Sequence, residues 1–229
     1  ITVGEVSADD PLGPDGYGYF AYESGDDHEL YPVAPTFDWI ELDPDYSGAG
    51  AELHEVSDDT IFVMDLPFSF KYYGKEHQRI TVCDNGWLSL GVTWMADFRN
   101  WGLPSPLGPK NLIAPFWDDL TKDDPAHPGN ANFRLPVRIL TRYDSDQGRF
   151  IVEWSRAINR QGFENQVYTE ETFEVVLYDP AVHATATGDG EILFQYLRVG
   201  NIDEKENYAT VGIEDEYHRR GLEVTFSGI

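Results

Sequence analysis

Of 229 residues only one, Cys83, is a cysteine. This excludes a disulfide within the chain and a thiolate metal site of the CxxC kind. Basic residues are also scarce. There are 16 Lys and Arg against 41 Asp and Glu, a formal net charge of −25 and a pI of about 4.3. So acidic a surface repels nucleic-acid phosphates and anionic headgroups, which argues against a nucleic-acid partner. It suits cations, neutral ligands such as glycans, or solubility alone. No apolar run approaches membrane-spanning length, so membrane insertion is not expected. No amphipathic pattern extends over three helical turns. The serine and metallopeptidase motifs are missing too. "GWLSLG" has the wrong spacing for a nucleophile elbow, and no HExxH occurs. The six histidines, at 28, 54, 77, 127, 183 and 218, never pair at ligand spacing. The chain opens on "ITVGEVSADD", with neither Met nor signal peptide, and stops on "TFSGI" after a strand-like run. It reads as a piece of a longer protein whose targeting segments lie elsewhere.

What is present is β-structure. Apolar residues make up 41% and aromatics 14%, enough for a sizeable core. Period-2 alternation and β-rich runs predict strands at 18–23, 37–42, 60–66, 68–73, 79–83, 86–91 and 112–117. Further strands are predicted at 134–143, 149–155, 172–178, 191–197, 208–214 and 222–226. "DNG", "SDQG" and "TGDG" separate several of them with residues that tolerate the positive φ of tight turns. The expected fold is all-β: an antiparallel two-layer β-sandwich, jelly-roll-like, with an N-terminal extension packed on it. A composition shift near residue 58, from Pro/Asp/Gly-dense sequence to regular strands, divides a single domain over 1–229. Residues 1–57 form the extension and 58–229 the core sandwich. An independent core in so short and loop-rich an extension would be marginal.

The run "NLIAPFWDDL" (111–120) is apolar on both faces. Strict alternation points Leu112, Ala114 and Phe116 one way and Ile113, Pro115 and Trp117 the other. Such a strand is covered on both sides, here by the extension or a loop. Pro115 cannot donate to a ladder, which places it at an edge or a bulge. Asp118 and Asp119 then mark the point where the strand leaves the core for water.

Several blocks, in order, resemble one family. "LPFSFKYYGKEHQRITVCDNGWLSLG" is similar to the opening of nidogen-like, all-β bacterial extracellular domains, and "NLIAPFWDDL" to their next block. "GRFIVEWSRAI", "ETFEVVLYDP", "GDGEILFQY" and "YATVGIED" resemble the strands that follow. The upstream "GPDGYGYFAYESGDD…YPVAPTFDWIEL" is similar to a segment found before this sandwich beside gingipain-type and M6-type peptidases. Cys83 departs from the pattern, which commonly has a small polar residue there. The resemblance implies a secreted or cell-surface bacterial accessory module, partnered by neighbouring domains of its own polypeptide. It supplies no catalytic residues.

Two kinds of site are candidates. Clustered acids in flexible loops suit Ca²⁺, which takes six to eight oxygens. "DSDQG" (144–148) is explained by a hairpin turn. "WDDLTKDD" and "DDPLGPDGYG" remain, and give Asp118, Asp119, Asp123 and Asp15 as the metal candidates. The second site is the loop 93–111, long for a sandwich connection. Its Trp94, Met95, Phe98 and Trp101 either pack as a lid or present a binding face to a glycan or protein surface. Trp94, Phe98 and Trp101 are the ligand-binding candidates, with Arg99 and Asn100 as polar contacts. Cys83, in a strand-like run before an Asn-Gly turn, reads as a packing residue. Three functions follow, in this order: a non-catalytic accessory or adhesion module, a carbohydrate-binding module using exposed aromatics, and a hydrolase using paired carboxylates. The last is weakly supported, because 41 acids yield close pairs by chance.

Overall fold

A computed structural model describes residues 10–124, 126–127, 134–159, 170–200 and 209–226. Thirteen strands and one short 3₁₀ turn (Pro44–Tyr46) are assigned among them, and no α-helix. The strands form two antiparallel sheets. One sheet has the order β13-β12-β5-β4-β3-β2. It comprises β2 (Ile61–Tyr72), β3 (Lys75–Cys83), β4 (Trp87–Leu90), β5 (Leu112–Trp117), β12 (Thr210–Glu214) and β13 (Gly221–Thr225). The other has the order β1-β8-β9-β10-β11, with β6 and β7 attached beside β9. Its strands are β1 (Glu52–Val56), β6 (Leu120–Asp123), β7 (Arg134–Leu135), β8 (Val137–Asp144), β9 (Arg149–Asn159), β10 (Glu170–Tyr178) and β11 (Ile192–Arg198). This is the predicted sandwich.

The main core lies between the sheets. Phe70, Ile80, Val82, Leu88, Ile113 and Phe116 of the first meet Val137, Ile139, Val152, Trp154, Phe173 and Val175 of the second. Trp154 stacks on Phe173 at 5.2 Å, and its indole N–H reaches across to donate to the Cys83 carbonyl at 2.9 Å. The inward residues recur at every second position along β8 (Val137, Ile139), β9 (Phe150, Val152, Trp154) and β10 (Phe173, Val175, Leu177), as the strand period requires.

Two predicted strands are absent. Residues 18–23 contribute only an isolated bridge, Leu12 to Ala21. Residues 37–42 form no ladder, but run as a strap across the outer face of the seven-stranded sheet, where Ile40 and Leu42 bury against Leu140, Ile151 and Val176. The predicted strands 60–66 and 68–73 are one strand, β2, with its register shifted between Asp65 and Phe70, around Pro67. Conversely, 134–143 breaks into β7 and β8 at Pro136, which has no N–H to give a ladder. Strands β1 and β6 escape prediction because each is short and largely polar.

Strand β5 corrects the simple alternation. Ile113 and Phe116 face the main core, whereas Leu112, Ala114 and Trp117 face outward. The parity slips at Pro115. Opposite it the register of β12 also shifts, between Thr210 and Gly212. A bulge, not an edge, accommodates the proline, and it turns Phe116 and Trp117 to the faces opposite to those expected.

Candidate functional site

The outward face of β4 and β5 carries Trp87, Leu112, Ala114 and Trp117, packed with Cys83, Ile61 and Leu103. The loop 93–111 seals it. The carbonyl of Asp97 accepts from both buried indoles, Trp87 Nε1 and Trp117 Nε1, each at 3.0 Å. Thr93 N–H donates to Thr81 Oγ1 at 3.0 Å, Leu103 N–H to Glu223 Oε2 at 2.6 Å and Ser105 N–H to Glu214 Oε2 at 2.6 Å. Asn100 is buried and donates to Thr210 Oγ1 at 3.1 Å, so it is not the surface contact expected of it. Gly108 passes so close to Trp117 that a Cβ there would lie 2.9 Å from the indole. The loop is therefore a lid over an outer core, held at many points.

One side chain does not join it. Trp94 is 83% exposed although its neighbour Thr93 is anchored. Met95 and Trp101 are partly exposed. Phe98 is half-buried, with the Arg99 guanidinium 5.5 Å from its ring centre. Of the three ligand-binding candidates, Trp94 is thus by far the most exposed.

The acidic candidates separate. Asp15 caps its own turn, accepting from the N–H groups of Tyr17, Gly18 and Tyr19 at 2.8, 2.8 and 3.0 Å and from Tyr73 Oη at 2.7 Å. Burial raises its pKa, but these donors win and hold it below the ordinary value. Asp118 is buried rather than at a wet strand end. Its Oδ1 accepts from Asp119 N–H at 2.8 Å, and its Oδ2 accepts from Asn159 Nδ2. Asp123 lies opposite Arg134 in the short β6–β7 ladder. Among the described residues, only Asp119 of these candidates joins a cluster, and its partners are Asp58 and Asp59, with one oxygen from each of the three within 4.8 Å of the others.

The Asp84-Asn85-Gly86 turn organises this corner. Asn85 donates to Asp59 Oδ1 at 3.1 Å and accepts from Leu120 N–H at 2.9 Å. Asp84 Oδ1 accepts from Thr60 N–H at 3.1 Å, while its Oδ2 is buried without a hydrogen-bond partner. Burial pushes Asp84 up to about 7, with Asp59 and Asp58 adding to the shift. Gly86 is obligatory: φ is +74°, and a Cβ would meet the Phe116 carbonyl oxygen at 1.8 Å. Arg134 Nη1 reaches Asp58 Oδ2 at 3.2 Å. Asp58 and Asp59 are not legible as ligands in the sequence, because they sit 61 and 60 residues from Asp119 and only the fold brings the β1–β2 and β5–β6 connections together.

Comparison with known families places this architecture. A family profile described as "NIDO related" matches residues 42–227. The chain belongs to the nidogen-related family. No curated protein and no solved structure matches it. The nidogen-related match spans both sheets, the lid loop and the acidic corner, and begins inside the strap at Leu42. The family is a module type without enzymatic activity of its own. Among the described residues no helix is long and apolar enough to cross a membrane.

Proposed function

We propose that this nidogen-related chain is a non-catalytic, extracellular binding module of a larger secreted bacterial protein, such as a peptidase or a surface adhesin, and that it holds its parent against a neutral glycan through Trp94. The observation that carries this reading is an indole 83% exposed on a loop whose backbone is fixed on either side. A flat aromatic on a rigid support stacks on a sugar ring at little cost in conformational entropy. A net charge of −25 disfavours polyanionic ligands and leaves neutral ones. The buried acids give no support to hydrolysis. Glu153 and Glu174, which face each other on neighbouring strands, are fully buried beneath the strap. A cavity lined by Tyr72, Tyr73, Lys75, Asp215 and Arg220 is about 30 Å³, room for a water or two and not for a sugar.

The test is retention of the purified chain on insoluble neutral polysaccharides, cellulose and chitin among them, with Trp94→Ala beside the parent. Retention by the parent and its loss in a folded Trp94→Ala variant support the reading. Equal retention of both removes Trp94 from it.

A second reading concerns the Asp58–Asp59–Asp119 corner. Three carboxylates with oxygens within 4.8 Å repel one another, and a divalent cation such as Ca²⁺ relieves that repulsion. It would tie the β2 end to the β5 end and act structurally, with no part in chemistry.

A further inference from the structure

Beneath the strap lies a row of polar side chains that the binding reading does not use. Glu153 on β9 faces Glu174 on β10 in register, and Glu174 faces Gln195 on β11. Both glutamates are wholly buried. Carboxylates directly opposite each other on neighbouring strands are unfavourable when both are charged, the more so when water is excluded.

The row is the strap's attachment. Leu42 N–H donates to Glu153 Oε2 at 2.7 Å, and Asp38 N–H donates to Gln195 Oε1 at 2.8 Å. Gln195 Nε2 donates both to the Asp38 carbonyl at 2.9 Å and to Glu174 Oε1 at 2.6 Å. Glu174 Oε2 is buried with no hydrogen-bond partner.

The charges around the row are unevenly shared. Arg156 lies 3.3 Å from Glu153, but its guanidinium is also forked onto Glu41 at 2.9 and 2.8 Å. Arg138 is committed to Asp43 at 3.0 and 2.6 Å. Arg142 and Arg149 act on Glu174 only from a distance. No cation is in direct contact with Glu174 among the described residues.

We infer that the Glu153–Glu174 pair is a proton-dependent latch: protonated, it holds the strap down, and on losing its proton it releases residues 37–43 from the sheet. Burial is the largest cause acting on both acids. It pushes Glu174 up to about 8 and Glu153 in the same direction, outweighing the donors that favour the charged forms: the Leu42 N–H and Arg156 at Glu153, and Gln195 and the Ile40 N–H at Glu174. A carboxyl raised above its unfolded value favours the closed strap fully below the ordinary carboxylate range. That contribution is lost as pH rises through the folded value, so the latch opens toward alkaline pH. Opening hydrates both carboxylates and uncovers the apolar floor of Leu140, Ile151 and Val176.

Hydrogen exchange of peptides covering residues 37–43, corrected for intrinsic rates, tests this between about pH 6 and about pH 9. For each proton released, the opening equilibrium is expected to grow about tenfold per pH unit up to the folded pKa. Amides of β4 and β5 should not follow that slope. Glu174→Gln, which keeps the shape and the bond to Gln195 but cannot ionise, should flatten the strap's slope and leave the strap closed. If Glu174→Gln fails to fold, Glu153→Gln is read in its place. A parent slope of zero, a slope shared equally by β4 and β5, or an unchanged slope in the glutamine variant each overturns the latch.

Discussion

At the scale of single residues, exposure separates the tryptophans that hold the fold from Trp94, which stands in solvent. Trp117 is fully buried and its indole N–H is used, so Trp117→Ala should cost about 3–5 kcal/mol in a denaturant melt. Trp94→Ala should change stability by no more than about 0.5 kcal/mol. The sequence marks both as large aromatics near one loop. It cannot tell them apart, because the difference comes from where the Asp97 carbonyl sits when the loop folds back over β4 and β5. Gly86 is more legible. An Asn-Gly pair between strands signals a positive-φ turn, and the structure adds a close approach of the Phe116 carbonyl. Gly86→Ala should destabilise by about 2–4 kcal/mol, from φ strain and the clash together.

Among the elements, those with strict alternation and long runs are legible: β5 is predicted at its observed bounds, and β3, β4, β8, β9, β10, β11, β12 and β13 within a few residues. The strap misleads for a physical reason. "FDWIEL" has the apolar content of a strand, yet its backbone donors go to the side chains of Glu153 and Gln195 instead of a neighbouring ladder. Polar side chains pointing outward from β9 and β11 therefore do the work of a strand edge, and nothing local to residues 37–42 announces that. Burying Ile40 and Leu42 is worth roughly 1.5–3 kcal/mol each. Removal of residues 1–48 should accordingly lower the melting temperature markedly and raise binding of a hydrophobic dye, as the floor of Leu140, Ile151 and Val176 becomes wet. The strap also carries ion pairs with the opposite pH sense to the latch. Burial raises the carboxyls of Glu41 and Asp43, but Arg156 and Arg138 outweigh it and hold both below their ordinary values. Their contribution is present above the ordinary carboxylate range and is lost as pH falls through the depressed values. Acid should therefore loosen the strap again, with greatest protection at mildly acidic pH.

For the whole molecule, the fold class follows from turn chemistry and period-2 pattern. Which acids meet does not, since Asp58 and Asp59 are joined to Asp119 only by the packing of two distant chain segments at one end of the sandwich. If that corner holds a cation, the melting temperature should be higher in millimolar calcium than in EDTA, because a ligand bound only by the folded state stabilises it. Asp59→Asn combined with Asp119→Asn should abolish the difference. Equal melting temperatures for the parent in calcium and EDTA would leave these acids as surface charge. In the proposed role, a lid sealed over the outer core presents the exposed Trp94 indole to a neutral glycan. The most direct test of that role is the paired measurement on Trp94→Ala of melting temperature and retention on insoluble neutral polysaccharide. An unchanged melting temperature with lost retention is the predicted result. A large fall in melting temperature, or retention equal to that of the parent, would contradict it.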